Sequence, residues 1–407
     1  MTIVGGGASG LISAILLARD GYSITLLERQ KKVARKILAS GNGRCNIGNV
    51  SPTIDHYHSS NPPFIKALLD GYSASDIISL FSSLGIHIIE GADGKLFPMS
   101  LQASSVVEIV MHEIEALDIE IIYGCEVLAL SQRDGLFVLE TTQGEMLSSH
   151  LLIASGSEAS PQLGGNRSGI AIASALGHNE VPSMPSLVQL TTDEKWVSRA
   201  SGVKIESLVK LYADGDYITQ REGDILFTDY GVSGLAILDI SRSVSEQLAS
   251  YSYCELSIDI VPHITKEQLR QIFLSYVDSK SRKPIEIWLM GFVNKKLIST
   301  IIEQSKSRVS TLSELNTKEI NRLVYTIKNL KLSISGTRGF KGAEVATGGV
   351  DTRDIDPQTM ESKIVKNLYF AGEVVDVDGD RGGFNFHFAW VSAMRVADGY
   401  RSSLSTQ

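Results

Sequence analysis

Residues 3–10 read Ile-Val-Gly-Gly-Gly-Ala-Ser-Gly, and an apolar helix follows at once. Leu11, Ile12, Ile15 and Leu16 fall on one stripe of that helix. Asp20-Gly21 ends it, Ser23-Ile24-Thr25-Leu26-Leu27 reads as a buried strand, and Glu28 stands at the strand's carboxyl end. Each glycine has its own task. Gly5 permits a tight turn, Gly7 lets a pyrophosphate approach the backbone, and Gly10 lets helix and strand pack closely. The helix then offers free N–H groups from Ala8, Ser9 and Gly10 and a partial positive charge. Glu28 is placed to accept hydrogen bonds from an adenosine ribose, and its charge would repel a 2′-phosphate, which speaks against NADP. A strand, a glycine turn, a helix and an acid at this spacing predict the first half of a dinucleotide-binding α/β fold.

The second half comes about 360 residues later. Leu368-Tyr369-Phe370-Ala371-Gly372-Glu373 reads as a strand ending in a carboxylate that can hold a ribityl hydroxyl. Gly382-Gly383 then opens a helix predicted over Phe384–Val396, with Phe384 and Asn385 in its first turn facing the flavin pyrimidine. The two halves together specify FAD, held by a domain that the chain leaves and re-enters. Leu151-Leu152-Ile153-Ala154-Ser155-Gly156 is a further buried strand, with Ala154, Ser155 and Gly156 closing over the cofactor.

Residues 35–48 carry three glycines, two asparagines and a serine, and are expected to form an irregular loop beside the reactive ring. Backbone N–H groups and cations there stabilise negative charge that builds on a reduced flavin. Arg35, Lys36, Ser40, Gly41, Gly43, Arg44, Cys45 and Asn46 are the candidate contacts, with Arg44 also a candidate catalytic cation. Cys45 reads more readily as a small packing residue than as a redox thiol. His387, between Phe386 and Phe388, has two readings of equal weight: general base to an amine or alcohol, or a histidine packed in an aromatic cluster. His56 and His58 read as loop residues, and no metal-spaced cluster is present.

These residues together resemble the aminoacetone-oxidase-like, BaiN-like family of FAD flavoproteins, within the two-dinucleotide-binding-domain superfamily. The matching stretches are Gly5–Gly10, Arg35–Asn46, Gly164–His178, Asp224–Gly234, Thr347–Val350, Thr359–Lys363 and Tyr369–Trp390, in the family's order. The resemblance implies a Rossmann-like FAD-binding α/β domain interrupted by a β-rich, barrel-like insert and a helical insert. It also implies flavin-dependent oxidation or reduction of a small molecule, with an amine-oxidase activity using oxygen favoured. By the same resemblance, Val127 holds the adenine through its backbone. Gly48, Phe384–His387 and Ser155–Asn166 depart from the family's usual residues, which leaves the substrate open.

The FAD-binding domain is assigned to 1–186 and 337–407, the β-rich insert to 187–263 and 326–336, and the helical insert to 264–325. Asp214-Gly215 marks a hairpin turn between strands Ser207–Tyr212 and Tyr217–Gln220, and Thr265-Lys266-Glu267-Gln268 resembles a capping box. The helical insert holds 11 Lys or Arg against 6 Asp or Glu, a net +5 that leaves −13 for the rest. A solvated helical surface is the simpler account of that charge, and a docking face for an acidic partner the other. The chain's net charge of −8 disfavours a nucleic-acid partner, although an RNA-associated flavoprotein stays open as the alternative of another class. An NAD(P)H-dependent reductase of an unsaturated small molecule is the alternative within the flavoenzymes. No second strand-GxGxxG-helix unit is present, so a nicotinamide would visit the flavin without a dedicated domain. No run of 18 apolar residues and no secretory leader are seen, and three cysteines without a CxxC pair fit a reduced cytoplasmic protein.

Overall fold

The computed structural model describes residues 1–277 and 281–405 of the 407, so three positions of the expected helical insert and the last two residues lie outside it. The chain divides into two compact units: Met1–Met184 with Glu344–Gln407, and Pro185–Ala343.

The first unit is built on a five-stranded sheet with every pairing parallel. Strand β1 (Thr2–Val4) is central, with β2 (Thr25–Glu28) on one side and Glu120–Tyr123 beyond it. Leu151–Ile153 and Leu368–Phe370 lie on the other side. These strands are near-continuous apolar runs, as in a parallel sheet buried on both faces. Ile3, Leu26, Leu152 and Phe370 are fully buried. Helix α1 (Ala8–Arg19) buries Leu11, Ile12 and Ile15, and the last helix, Phe384–Ser405, buries Trp390 and Val391 in the same core. Each such side chain contributes about 1.5–3 kcal/mol by leaving water. Between β1 and Leu151–Ile153 the strand order reverses. That is the switch point where open α/β sheets bind ligands, outside the strands' carboxyl ends. The Gly5–Gly10 turn sits there.

Three antiparallel strands, Val127–Arg133, Leu136–Thr141 and Gly144–Ser148, intervene before Leu151. The stretch 35–48 is more ordered than its composition predicts. Arg35–Ala39 is helical and Ser40–Gly43 makes a short turn, with Gly41 and Asn42 in left-handed conformations.

The second unit is a seven-stranded antiparallel sheet with helices. The predicted hairpin is present as Lys204–Ala213 paired with Asp216–Phe227. Thr265 and Gln268 form the reciprocal capping pair, each backbone N–H donating to the other's side chain. One helix inside the β-rich stretch was not expected: Leu235–Ala249. Its buried Ile237, Ile240 and Val244 follow the helical period, and that signal was legible in the sequence. The helices Lys266–Val277, Lys295–Ser305 and Thr317–Lys328 share one core with the sheet, through Phe273, Ile301 and Leu323 against Leu256 and Leu332.

Candidate functional site

Gly5 sits at φ +112°, and a Cβ there would meet the Ala154 carbonyl oxygen at 2.5 Å. A Cβ on Gly10 would meet the Gly5 carbonyl oxygen at 2.0 Å. Both glycines are therefore required by the protein itself. Gly7 is different: a Cβ there would find only the Ala154 oxygen, at 3.9 Å. No other atom of the described residues lies within 4 Å of that position, as a cradle for a ligand demands. The α1 N-terminus beside it has no side-chain cap and no acid in its first turn, so its N–H groups and positive end are uncompensated.

Glu28 is half-buried at the end of β2. Its Oε2 accepts the Gly6 N–H at 2.8 Å and its Oε1 the Gln30 N–H at 2.6 Å. A carboxylate has about four acceptor sites, so capacity for a ribose remains. Cys125 N–H donates to the Glu28 carbonyl, which brings the turn before Val127 to the same edge. Val127 is buried and pairs with Thr141.

Ser9 joins the two ends of the chain. Its hydroxyl donates to the Ala371 carbonyl at 3.2 Å, and a Cβ on Gly372 would lie 2.5 Å from Ser9 Oγ. Its side chain is thus spent on packing, leaving its backbone to face a phosphate. Lys36 and Glu373 pair with each other at 2.6 Å, and Glu373 also accepts the Ala346 N–H. Arg35 donates to the Gln162 carbonyl. Ala154, Ser155 and Gly156 follow the strand Leu151–Ile153, and the Ser155 hydroxyl is buried against Gly169, where a Cβ would lie 2.0 Å away, without a partner among the described residues. Asn46 Oδ1 is likewise buried and unpartnered among the described residues, close to Gly383, where a Cβ would lie 2.8 Å away.

The turn into the last helix is held by Asn385. It accepts the Gly379 N–H and donates to the Gly379 carbonyl, so its side chain braces the loop. Phe384 is buried. Ser40 donates to the Ile37 carbonyl, and Gly43 adopts a left-handed φ of +79° beyond it.

The structure bears on three of these candidates. Cys45 is wholly buried, and burial pushes its thiol up to about 11, so it is a packing residue. Arg44 is exposed, donates to the Gly41 carbonyl and lies over the Phe97 ring, a surface role with no catalytic geometry. His387 is 0% exposed, and neither ring nitrogen has a partner among the described residues. Burial lowers its pKa to about 4, so the ring is neutral and enclosed, not a base facing substrate. Sequence reasoning also passed over His56 and His58. Both reach Asp380, more than 320 residues away, a pairing that no local pattern signals.

The donor set fits FAD: an uncapped helix end and open glycine for a pyrophosphate, a carboxylate for a ribose, and an orphaned polar atom at Asn46. The comparisons agree. The HI0933-like protein Rossmann domain matches residues 1–399. The 3-dehydro-bile acid delta(4,6)-reductase of Clostridium scindens is 33% identical over 96% of each chain. A ribosomal RNA dihydrouridine synthase of Haemophilus influenzae is 34% identical, over 97% of this chain and 96% of its own. Among solved structures, 3-ketosteroid delta1-dehydrogenase of Sterolibacterium denitrificans has the same fold, at TM-score 0.52, 11% identity and 99% coverage of both chains. The chain belongs to the HI0933-like Rossmann family and is an FAD-dependent oxidoreductase.

Proposed function

We propose that this protein reduces a carbon–carbon double bond conjugated to a carbonyl group, taking its electrons from a reduced nicotinamide. One observation carries the reading. Two relatives aligned over nearly the whole chain are named for reductions, one of a 3-dehydro-bile acid and one yielding dihydrouridine. A 3-oxo steroid with a Δ4 bond and a uracil ring share that conjugated unit. The amine-oxidase reading rests on the resemblance alone, and its base, His387, is enclosed.

In this reading FAD, when bound, passes two electrons as hydride to the substrate. The chain's own residues bind and orient. The α1 N-terminus and Gly7 take the pyrophosphate, Glu28 the ribose, and Asn46 supplies a polar contact along the cofactor. Lys36 holds Glu373 in place for the ribityl chain.

The substrate is either a small dienone or a uridine in RNA. Two ribosomal RNA synthases among the relatives and the net +5 of residues 264–325 favour keeping RNA in the test, against the overall charge of −8. Three free cysteines and no described helix long and apolar enough to cross a membrane support a cytoplasmic setting. The deciding experiment is anaerobic mixing of the FAD-loaded protein with NADPH, NADH or aminoacetone. Bleaching of the flavin by a nicotinamide and not by the amine is the expected result. Bleaching by the amine alone would return the oxidase reading.

A further inference from the structure

We propose that His56 donates the proton to substrate carbon in this reduction, with Asp380 orienting its ring and His58 sharing that carboxylate. The inference rests on the reading of the reaction given above. His56 Nδ1 lies 3.3 Å from Asp380 Oδ2, and His58 Nε2 lies 3.0 Å from Asp380 Oδ1. A carboxylate only accepts, so each of those nitrogens carries its proton. The tautomers are thereby fixed, and His56 Nε2 is left as the working nitrogen. It has no protein partner among the described residues. The three side chains are 38%, 29% and 40% exposed, open enough to meet a substrate.

The cluster is built at the right end of the molecule. The His56 ring stacks on Phe384, with centroids 4.1 Å apart and planes 12° off parallel. Phe384 is the first residue of the last helix, directly after Gly382-Gly383. Asp380 N–H donates to the His56 carbonyl at 2.8 Å, and the short strands Tyr57–His58 and Asp378–Gly379 pair. Asn49 ties Gly382 to the same region. Ring, carboxylate and helix start therefore form one rigid group. Its geometry is not a metal site: no cluster among the described residues is arranged to hold a metal ion. Burial pushes the Asp380 carboxyl up, but hydrogen bonds and charge from His58 and His56 outweigh it and hold it below its usual range.

The step balances. The carbon remote from the carbonyl gains hydride, which a reduced nicotinamide supplies through FAD. The π pair moves onto the carbonyl oxygen. Its return forms a C–H bond at the neighbouring carbon as the Nε2–H bond of His56 breaks. Neutral imidazole remains, and solvent reprotonates it.

The test is a single turnover. FAD-loaded protein is reduced with dithionite and mixed anaerobically with 2-cyclohexen-1-one, a 3-oxo-4,6-diene steroid or a uridine-containing RNA transcript. His56→Gln is expected to keep its FAD, its melting temperature and its reduction by dithionite, while reoxidation by the substrate slows about a hundredfold. His56→Ala is expected to regain rate with added imidazole, which a merely structural role would not show. Ring ¹⁵N spectra are expected to place a proton on His56 Nδ1, lost in Asp380→Asn. If the parent is reoxidised and His56→Gln matches it, the assignment falls and the reductase reading stands. Loss of FAD or of fold in His56→Gln, with no imidazole rescue of His56→Ala, overturns it too. If no probe reoxidises the parent, the reductase reading fails and takes the assignment with it.

Discussion

Lys36 Nζ and Glu373 Oε2 meet at 2.6 Å across 337 residues of sequence. The pair closes the FAD-binding unit, because one partner follows the glycine turn and the other follows the strand Leu368–Phe370. Both side chains keep some solvent, at 31% and 19% exposed. Such a pair contributes about 0–1 kcal/mol. Lys36→Met is therefore expected to change unfolding free energy by less than about 1 kcal/mol in a urea titration. A larger loss would mean that the pair holds the fold and not the cofactor site.

Gly7 and Gly10 separate ligand from fold. Alanine at 7 meets only one oxygen at 3.9 Å, whereas alanine at 10 runs into a backbone carbonyl at 2.0 Å. Gly7→Ala is expected to leave apoprotein stability within about 1 kcal/mol, the scale of a changed helix cap. Its FAD affinity is expected to drop about tenfold or more, because the methyl occupies the pyrophosphate's approach. Gly10→Ala is expected to lose about 1–3 kcal/mol or more with or without FAD, through overpacking. Calorimetry of both apoproteins, with FAD titration, checks this. Equal stability losses in the two variants would contradict it.

The sequence carried the two ends of the site well. The Gly5–Gly10 turn, Glu28, the strands at 151–153 and 368–370 and the last helix all leave local signals, since each depends on period, glycine or charge within a short window. What it hid was pairing at a distance. Lys36 and Glu373 each looked like a cofactor contact, and only the fold makes them partners. His56 and His58 looked like loop residues until Asp380 arrived from the far end of the chain. Asn385 read as a cofactor contact, but its side chain braces Gly379. The helix Leu235–Ala249 was missed for another reason, because neighbouring strand signals outweighed a legible helical stripe. His387 shows the limit most plainly: a histidine beside two phenylalanines does not reveal whether it faces a ligand or a core.

Glu28→Ala is expected to weaken FAD binding about tenfold or more, since a charge-assisted hydrogen bond contributes about 1.5–3 kcal/mol. The variant also strands the Gly6 and Gln30 N–H groups, so a fall in apoprotein stability accompanies it. Glu28→Gln keeps an acceptor and is expected to fall between the two. Fluorescence titration with FAD reads the effect, and unchanged affinity in Glu28→Ala would remove Glu28 from the ribose.

His387 makes stability depend on pH. Burial lowers its pKa from 6.5 to about 4, so between those values the unfolded chain binds more protons than the folded one. Stability is full above pH 6.5 and is lost as pH falls toward 4, by about 3 kcal/mol in all at 1.36 kcal/mol per unit. His387→Gln does not titrate and is expected to lack this share of the acid loss. Urea titrations of both proteins across that range measure the difference, and parallel curves would show that the ring is not buried as a neutral base.

The central claim is the reduction of a conjugated double bond, and the product's mass tests it most directly. Dithionite-reduced, FAD-loaded protein is incubated without oxygen with a 3-oxo-4,6-diene steroid or a uridine-containing RNA transcript, and the products are weighed by mass spectrometry. The account predicts a product heavier by two hydrogens, formed once per flavin as the yellow colour returns. A reduced flavin that persists with both substrates and is reoxidised only when air is admitted would contradict it.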